Sequence, residues 1–131
     1  MARDVQALIA FVDSRQNVPH EWGSDANDCV SFCLGAIEAQ TGKRLTRRKW
    51  ASRSSALRIL KRLGGMEAVI DRYLKRIPPS LARHGDIGGV PDEALGISPA
   101  VVEGETLVAP GPKGNRRLKR REMTIAWSVD E

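Results

Sequence analysis

Val5, Leu8, Ile9 and Val12 recur at the i, i+3, i+4, i+7 spacing that lines one face of a helix. Residues 3–15 are therefore expected to form an amphipathic helix that ends in the polar stretch before Pro19. Residues 19–27 read as a turn-rich loop in which Trp22 is the one strongly apolar side chain. Asn27 or Asp28 can cap a second helix running to about Gln40, with Val30, Cys33, Leu34 and Ile37 on one face and Thr41-Gly42 as its stop. The basic stretch 43–49 reads as a connection. Ser52 or Ser54 then opens a third helix whose Ala56, Ile59, Leu60 and Leu63 face inward. Beyond the break at Gly64-Gly65, a fourth helical pattern runs through Met66, Val69, Ile70, Tyr73 and Leu74 until Pro78-Pro79 stops it.

Past Gly85 the texture changes. Short apolar pieces at 86–90, 94–97, 101–102, 106–109 and 124–129 alternate with Gly, Pro and acidic turns, which is the pattern of a small antiparallel sheet. Residues 110–115 are expected to form a loop, and the stretch 110–117 carries no clear signal for helix or strand. Helices followed by strands indicate an α+β fold, with the N-terminal helices packed on one face of a small C-terminal antiparallel sheet. At 131 residues the chain is expected to be one domain over 1–131, its helical part at 1–84 and its sheet part at 85–131.

Composition narrows this picture only slightly. Apolar residues at 41% and charged residues at 28% are those of an ordinary globular protein and exclude a disordered or fibrous chain. No apolar run approaches the roughly 20 residues that span a bilayer, and the N-terminus lacks a signal peptide's apolar stretch, so synthesis in the cytosol with no membrane span is expected. The net charge of +5 is unevenly spread: residues 43–62 hold nine Lys or Arg and residues 113–121 hold six, neither segment with an acid. Such segregation suits an acidic partner surface, with nucleic acid the weaker alternative, and a solvated helix face gives the same count. Arg47, Arg48 and Trp50 in the first segment, and Arg116 and Arg117 in the second, are its candidate binding residues.

Cys29 falls in the first turn of the second helix, where unpaired backbone N–H groups and the helix dipole favour a thiolate. Asp28 beside it opposes the effect. Cys33, four residues on, cannot readily bridge to it, and two thiols supply only half of a metal site. No phosphate loop, dinucleotide fingerprint or His-carboxylate cluster is present, so neither cofactor nor metal is expected.

Trp22 followed by Asn27-Asp28-Cys29 and Phe32, four helices, then His84-Gly85-Asp86-Ile87 and short strands, resembles the NlpC-like cysteine peptidases that cut bacterial cell-wall peptides. The closer resemblance is to a small branch encoded in tailed phages and prophages, carried by Trp22, Asp28, Cys29, Leu63-Gly64-Gly65, Ala94-Leu95-Gly96 and Ala126-Trp127 over nearly the whole chain. This resemblance implies a papain-like fold, a nucleophile at Cys29, and Trp22, Asp28 and Asp86 around its cleft. It also implies a general-base histidine in a His-x-Gly-apolar pattern, where this chain reads Ala94-Leu95-Gly96-Ile97, so the base position is expected to hold alanine. With a hairpin turning around Pro91-Asp92, Ala94 faces Gly89 and His84 lies on the order of 17 Å further along, too far to substitute. His20, in the loop before the helix, is the alternative base. The expected function is a structural or assembly component of the distal tail of a bacteriophage, in the tail tip or baseplate region and carried in the virion. Its expected partners are tail hub or tail-tip proteins, with a peptidoglycan peptide as a ligand. The alternative is an active thiol hydrolase using Cys29 with His20.

Overall fold

The computed structural model describes residues 3–130. Helix α1 (Val5–Ser14) is capped by the Asp4 carboxylate, which accepts from the Ala7 N–H, and it buries Leu8 and Val12 as its spacing predicts. Helix α2 (Cys29–Thr41) starts at the Asp28 cap and closes at Gly42. It is the central element, with Phe32, Cys33, Ala36 and Ile37 buried, and the ring of Phe32 lies 5.5 Å from that of Phe11 on α1. Helix α3 (Arg53–Arg62) is capped by Ser52. Helix α4 (Met66–Asp71) is shorter than its apolar pattern predicts, because Tyr73 and Leu74 already belong to the turn that leads into the sheet.

Among the described residues the sheet has six strands: β1 (Lys75–Ile77), β2 (Ile87–Asp92), β3 (Gly96–Glu103), β4 (Thr106–Gly111), β5 (Gly114–Lys119) and β6 (Ile125–Ser128). Their spatial order is β1-β6-β2-β3-β4-β5, every neighbouring pair antiparallel, so the last strand is inserted between the first two. One face of the sheet, through Ile87, Val101, Val108 and Trp127, packs on α1 and α2. The other buries Ala100, Val102, Leu107, Met123 and Ala126, closed over by Ala82 at the end of a short 3-10 helix (Pro79–Leu81). The α+β architecture, with the N-terminal helices on one face of a C-terminal antiparallel sheet, is the one the sequence predicts, but the sheet is not confined to 85–131: β1 lies within the stretch 1–84 expected to be helical and pairs with β6.

Three local expectations are corrected. The pieces at 94–97 and 101–102 are not separate: from Gly96 onward the chain is one continuous strand, β3. The hairpin does not turn at Pro91-Asp92, since Asp92 pairs with Gly96 and Gly89 with Pro99, leaving residues 93–95 as the turn. The Asp92 carboxylate causes this by accepting from both the Ala94 and Leu95 N–H groups at 2.9 Å, and Pro91 is tolerated inside the strand ahead of it.

The third correction is at residues 110–117, which form a hairpin of β4 and β5 turning at Pro112-Lys113. Strand β5 was hidden by its basic, polar composition, which suits a charged sheet edge protected from pairing with other chains. It is anchored from outside the sheet, for Asn115 donates through its side chain to Val12 O at 2.9 Å and through its backbone to Gln16 O at 3.1 Å. Gly114 makes this contact feasible, with φ of 137° and a would-be Cβ only 2.1 Å from Gln16 O. Gly114→Ala is therefore expected to cost about 1–3 kcal/mol, read as a lower midpoint in chemical denaturation, because strained backbone and a backbone clash coincide there.

Candidate functional site

Asp28 is fully buried and uses both carboxylate oxygens. One accepts from Ser31 N at 2.8 Å, capping α2; the other accepts from Gly23 N at 3.0 Å and from the indole N–H of Trp50 at 2.8 Å. This ties the 19–27 loop and the 43–52 strap to the helix end that carries Cys29. Asp28 is thus a clamp and not a ligand-facing group, and the indole nitrogen of Trp50 is engaged by it.

Cys29 is 7% exposed and opens onto a cleft of about 210 Å³ whose lining includes His20, Trp22, Asp92, Ser98 and Arg116. Ser98 lines the same cleft as Cys29, and both its hydroxyl and the Asp92 carboxylate are near enough to act on the thiol's ionisation. Burial pushes the Cys29 thiol up to about 12, the Asp28 and Asp92 carboxylates add to the rise, and the Ser98 hydroxyl and Val30 N–H oppose it only in part. Desolvation therefore outweighs the helix-end effect that favours a thiolate. Cys33 is raised as well, chiefly by burial, and both cysteines are free thiols.

Ser98, and not Ala94, is the β3 residue with a polar side chain that shares the cleft with the thiol. Ala94 is exposed in the hairpin turn, a displacement that follows from the later turn described above. A serine hydroxyl can hydrogen-bond a thiol but cannot take its proton at neutral pH, so Ser98 is no base. His20 is brought to the same cleft, held by its backbone N–H donating to Gly111 O at 2.7 Å and by an edge contact of its ring with Trp22 at 5.2 Å. His84 stands before β2, at the end remote from Asp92, with its carbonyl accepting from Arg3 at 2.7 Å.

The remaining candidates divide. Trp22 and Arg116 line the cleft. Asp86 does not, for it is 1% exposed and accepts from Arg3 at 2.6 Å, Arg83 N at 2.7 Å and Val129 N at 3.2 Å, holding the N-terminus to the last strand. Arg117 is engaged by Glu103 at 2.6 Å and by Thr106 at 2.9 Å. Arg47 is exposed on the strap, remote from the cleft lining, and Arg48 lines a different, apolar groove. Trp127 is fully buried, its indole donating to Asp71 at 2.8 Å, and is core. Ser98 and Asp92 were not singled out in the sequence. The signal available was a single hydroxyl in the apolar run 97–102, legible only once the strand register was known. Among the described residues no three His, Cys, Asp or Glu side chains gather as a metal site, and no helix is long and apolar enough to cross a membrane.

A buried cysteine opening the central helix and facing an antiparallel sheet is the arrangement of the NlpC/p60 fold. The solved NlpC/p60 domain of the peptidoglycan hydrolase SagA superposes with a TM-score of 0.65 at 18% identity, covering 95% of this chain and 98% of that one. The chain itself belongs to DUF6950, a family described as a domain of unknown function, whose profile matches residues 2–129. No curated protein matches it.

Proposed function

We propose that this domain is a non-hydrolytic derivative of the cell-wall peptidase fold, serving as a structural or assembly component of the distal, host-facing tail of a bacteriophage. The observation that carries the loss of catalysis is the pairing of Cys29 with Ser98: the thiol is buried, held protonated and faced by a hydroxyl that cannot act as its base. General-base assistance is worth about 10²- to 10⁴-fold, and a thiol raised this far leaves only about 10⁻⁵ of itself as thiolate at pH 7. The phage setting is supported by the resemblance of the Trp22, Asp28-Cys29, Leu63-Gly64-Gly65 and Ala126-Trp127 motifs to the phage and prophage branch of these proteins. The fold can outlast its chemistry, because activity resides in the site and not in the scaffold. The protein is made in the host cytoplasm and carried in the virion beside tail hub or tail-tip subunits, and its cleft keeps room for a peptidoglycan peptide. His20 at the cleft wall favours the second reading, a thiol hydrolase using Cys29 with His20.

Two measurements test the proposal. Purified cell-wall peptides incubated with the wild type are expected to remain intact; turnover that disappears in Cys29→Ala establishes the hydrolase instead. Mass spectrometry of purified particles is expected to find the protein in tails. Its absence from virions, with tails assembling normally after its deletion, overturns the structural role.

A further inference from the structure

A second site lies on the opposite side of Trp22 from the cysteine cleft. Under α3 and α4 run two adjoining cavities of about 60 and 80 Å³, which share Val30, Thr46, Leu60, Val69 and Tyr73 in their walls. Their lining is almost wholly apolar. Helix α3 makes only slight contact with any other element, and of its inward stripe only Ala56 is buried while Ile59, Leu60 and Leu63 stay partly exposed over the gap. Protein interiors are ordinarily close-packed, so apolar walls held apart leave dispersion contacts unmade and offer room for side chains from elsewhere.

The frame of this groove is strongly cationic. The strap 43–52 and α3 carry nine Lys or Arg and no acid. Arg48 lines the groove directly, and Arg47, Arg48, Arg53, Arg58, Lys61 and Arg62 have no carboxylate partner among the described residues. An apolar slot flanked by these six cations is complementary to a segment that is apolar on one face and acidic on the other.

We infer that this groove docks an acidic amphipathic segment of a protein partner, two of its apolar side chains entering the paired cavities and its carboxylates meeting the guanidinium groups of the strap and α3. A lipid chain fits less well, since each cavity is small, and a nucleic acid has no apolar side chains to place in two cavities whose walls are almost wholly apolar. The site is separate from the Cys29 cleft, so the inference stands or falls independently of whether the domain hydrolyses peptides.

The probe is a synthetic helix of about four turns with Leu at i, i+3, i+4 and i+7 and Glu elsewhere. It is titrated against the full chain while following the emission of Trp22 and Trp50, which line the groove. The expected result is saturable binding with a shift in emission, weakened roughly tenfold or more on moving from low to high salt. It should be lost when Lys replaces Glu or when the Leu positions are scrambled off one face. The double variant Arg48→Glu, Arg53→Glu places charge at exposed positions and is expected to fold and to lose at least about tenfold in affinity. Tyr73→Ala, at the half-exposed mouth, is expected to weaken binding without changing its salt dependence. No binding, equal binding of the scrambled peptide, unchanged affinity in the double variant, or preference for phosphatidylglycerol vesicles or an oligonucleotide over the peptide overturns the inference.

Discussion

Ser98→His is expected to raise the reactivity of the Cys29 thiol. The Cys29 cleft of about 210 Å³ adjoins Ser98 and gives an imidazole room to sit beside the sulfur, from which it can take the proton to form an ion pair. A neighbouring opposite charge lowers a pKa by up to about three units, which raises the thiolate fraction at pH 7 by about 10³ from a thiol that starts near 12. The more acidic thiolate is intrinsically less nucleophilic, and with a Brønsted coefficient of about 0.5 the net gain in alkylation rate is about 30-fold. Iodoacetamide labelling followed by peptide mass measurement checks this, with Cys33, buried and likewise raised, as the internal reference. In the wild type both cysteines should label appreciably only on unfolding. A Ser98→His chain that labels at Cys29 no faster than the wild type would show that Ser98 does not face the thiol. Because the readout is alkylation, it requires no substrate.

Asp28→Ala is expected to destabilise the domain by about 3–7 kcal/mol, a large share of the roughly 5–15 kcal/mol typical of a domain. Loss of the α2 cap accounts for about 1 kcal/mol, and two donors left without a partner, Gly23 N and the Trp50 indole, account for about 1–3 kcal/mol each. At ordinary helix ends Asn replaces Asp with little loss. Here Asp28→Asn is expected to fall within about 1 kcal/mol of the alanine variant, because its amide would present N–H groups to those two donors while keeping only the Ser31 cap. Thermal melts separate the two cases, the midpoint falling by more than about 10 °C in both variants. If Asn restores wild-type stability, the strap's attachment through Trp50 carries little energy and the second oxygen is dispensable.

Spacing alone located the helices. Leu8 and Val12, the Asp28 and Ser52 caps and the Gly42 stop are local signals, written in neighbouring residues and enforced by local hydrogen bonds. The order of helices before strands likewise determined the fold class, because each amphipathic element must bury its apolar side against another layer. Motif order also placed Cys29 at the helix start, where the structure has it.

What tertiary structure alone decided is everything that depends on which strand lies beside which. Lys75–Ile77 and Gly114–Lys119 have compositions that favour no strand, and they are strands only because β6 and β4 offer them open edges. A turn two or three residues later than expected changes every pairing of the hairpin: Gly89 meets Pro99 where Ala94 was expected, and Ser98, opposite Val90, comes to line the Cys29 cleft. Burial decided the chemistry in the same way. Sequence position gave Cys29 a helix end that favours its thiolate, but the solvent removed by packing the sheet against α2 costs that anion more than the helix end returns. Local signals in this chain fixed where the elements begin and end; desolvation and register are long-range properties, and they appeared only when the sheet closed over the helix.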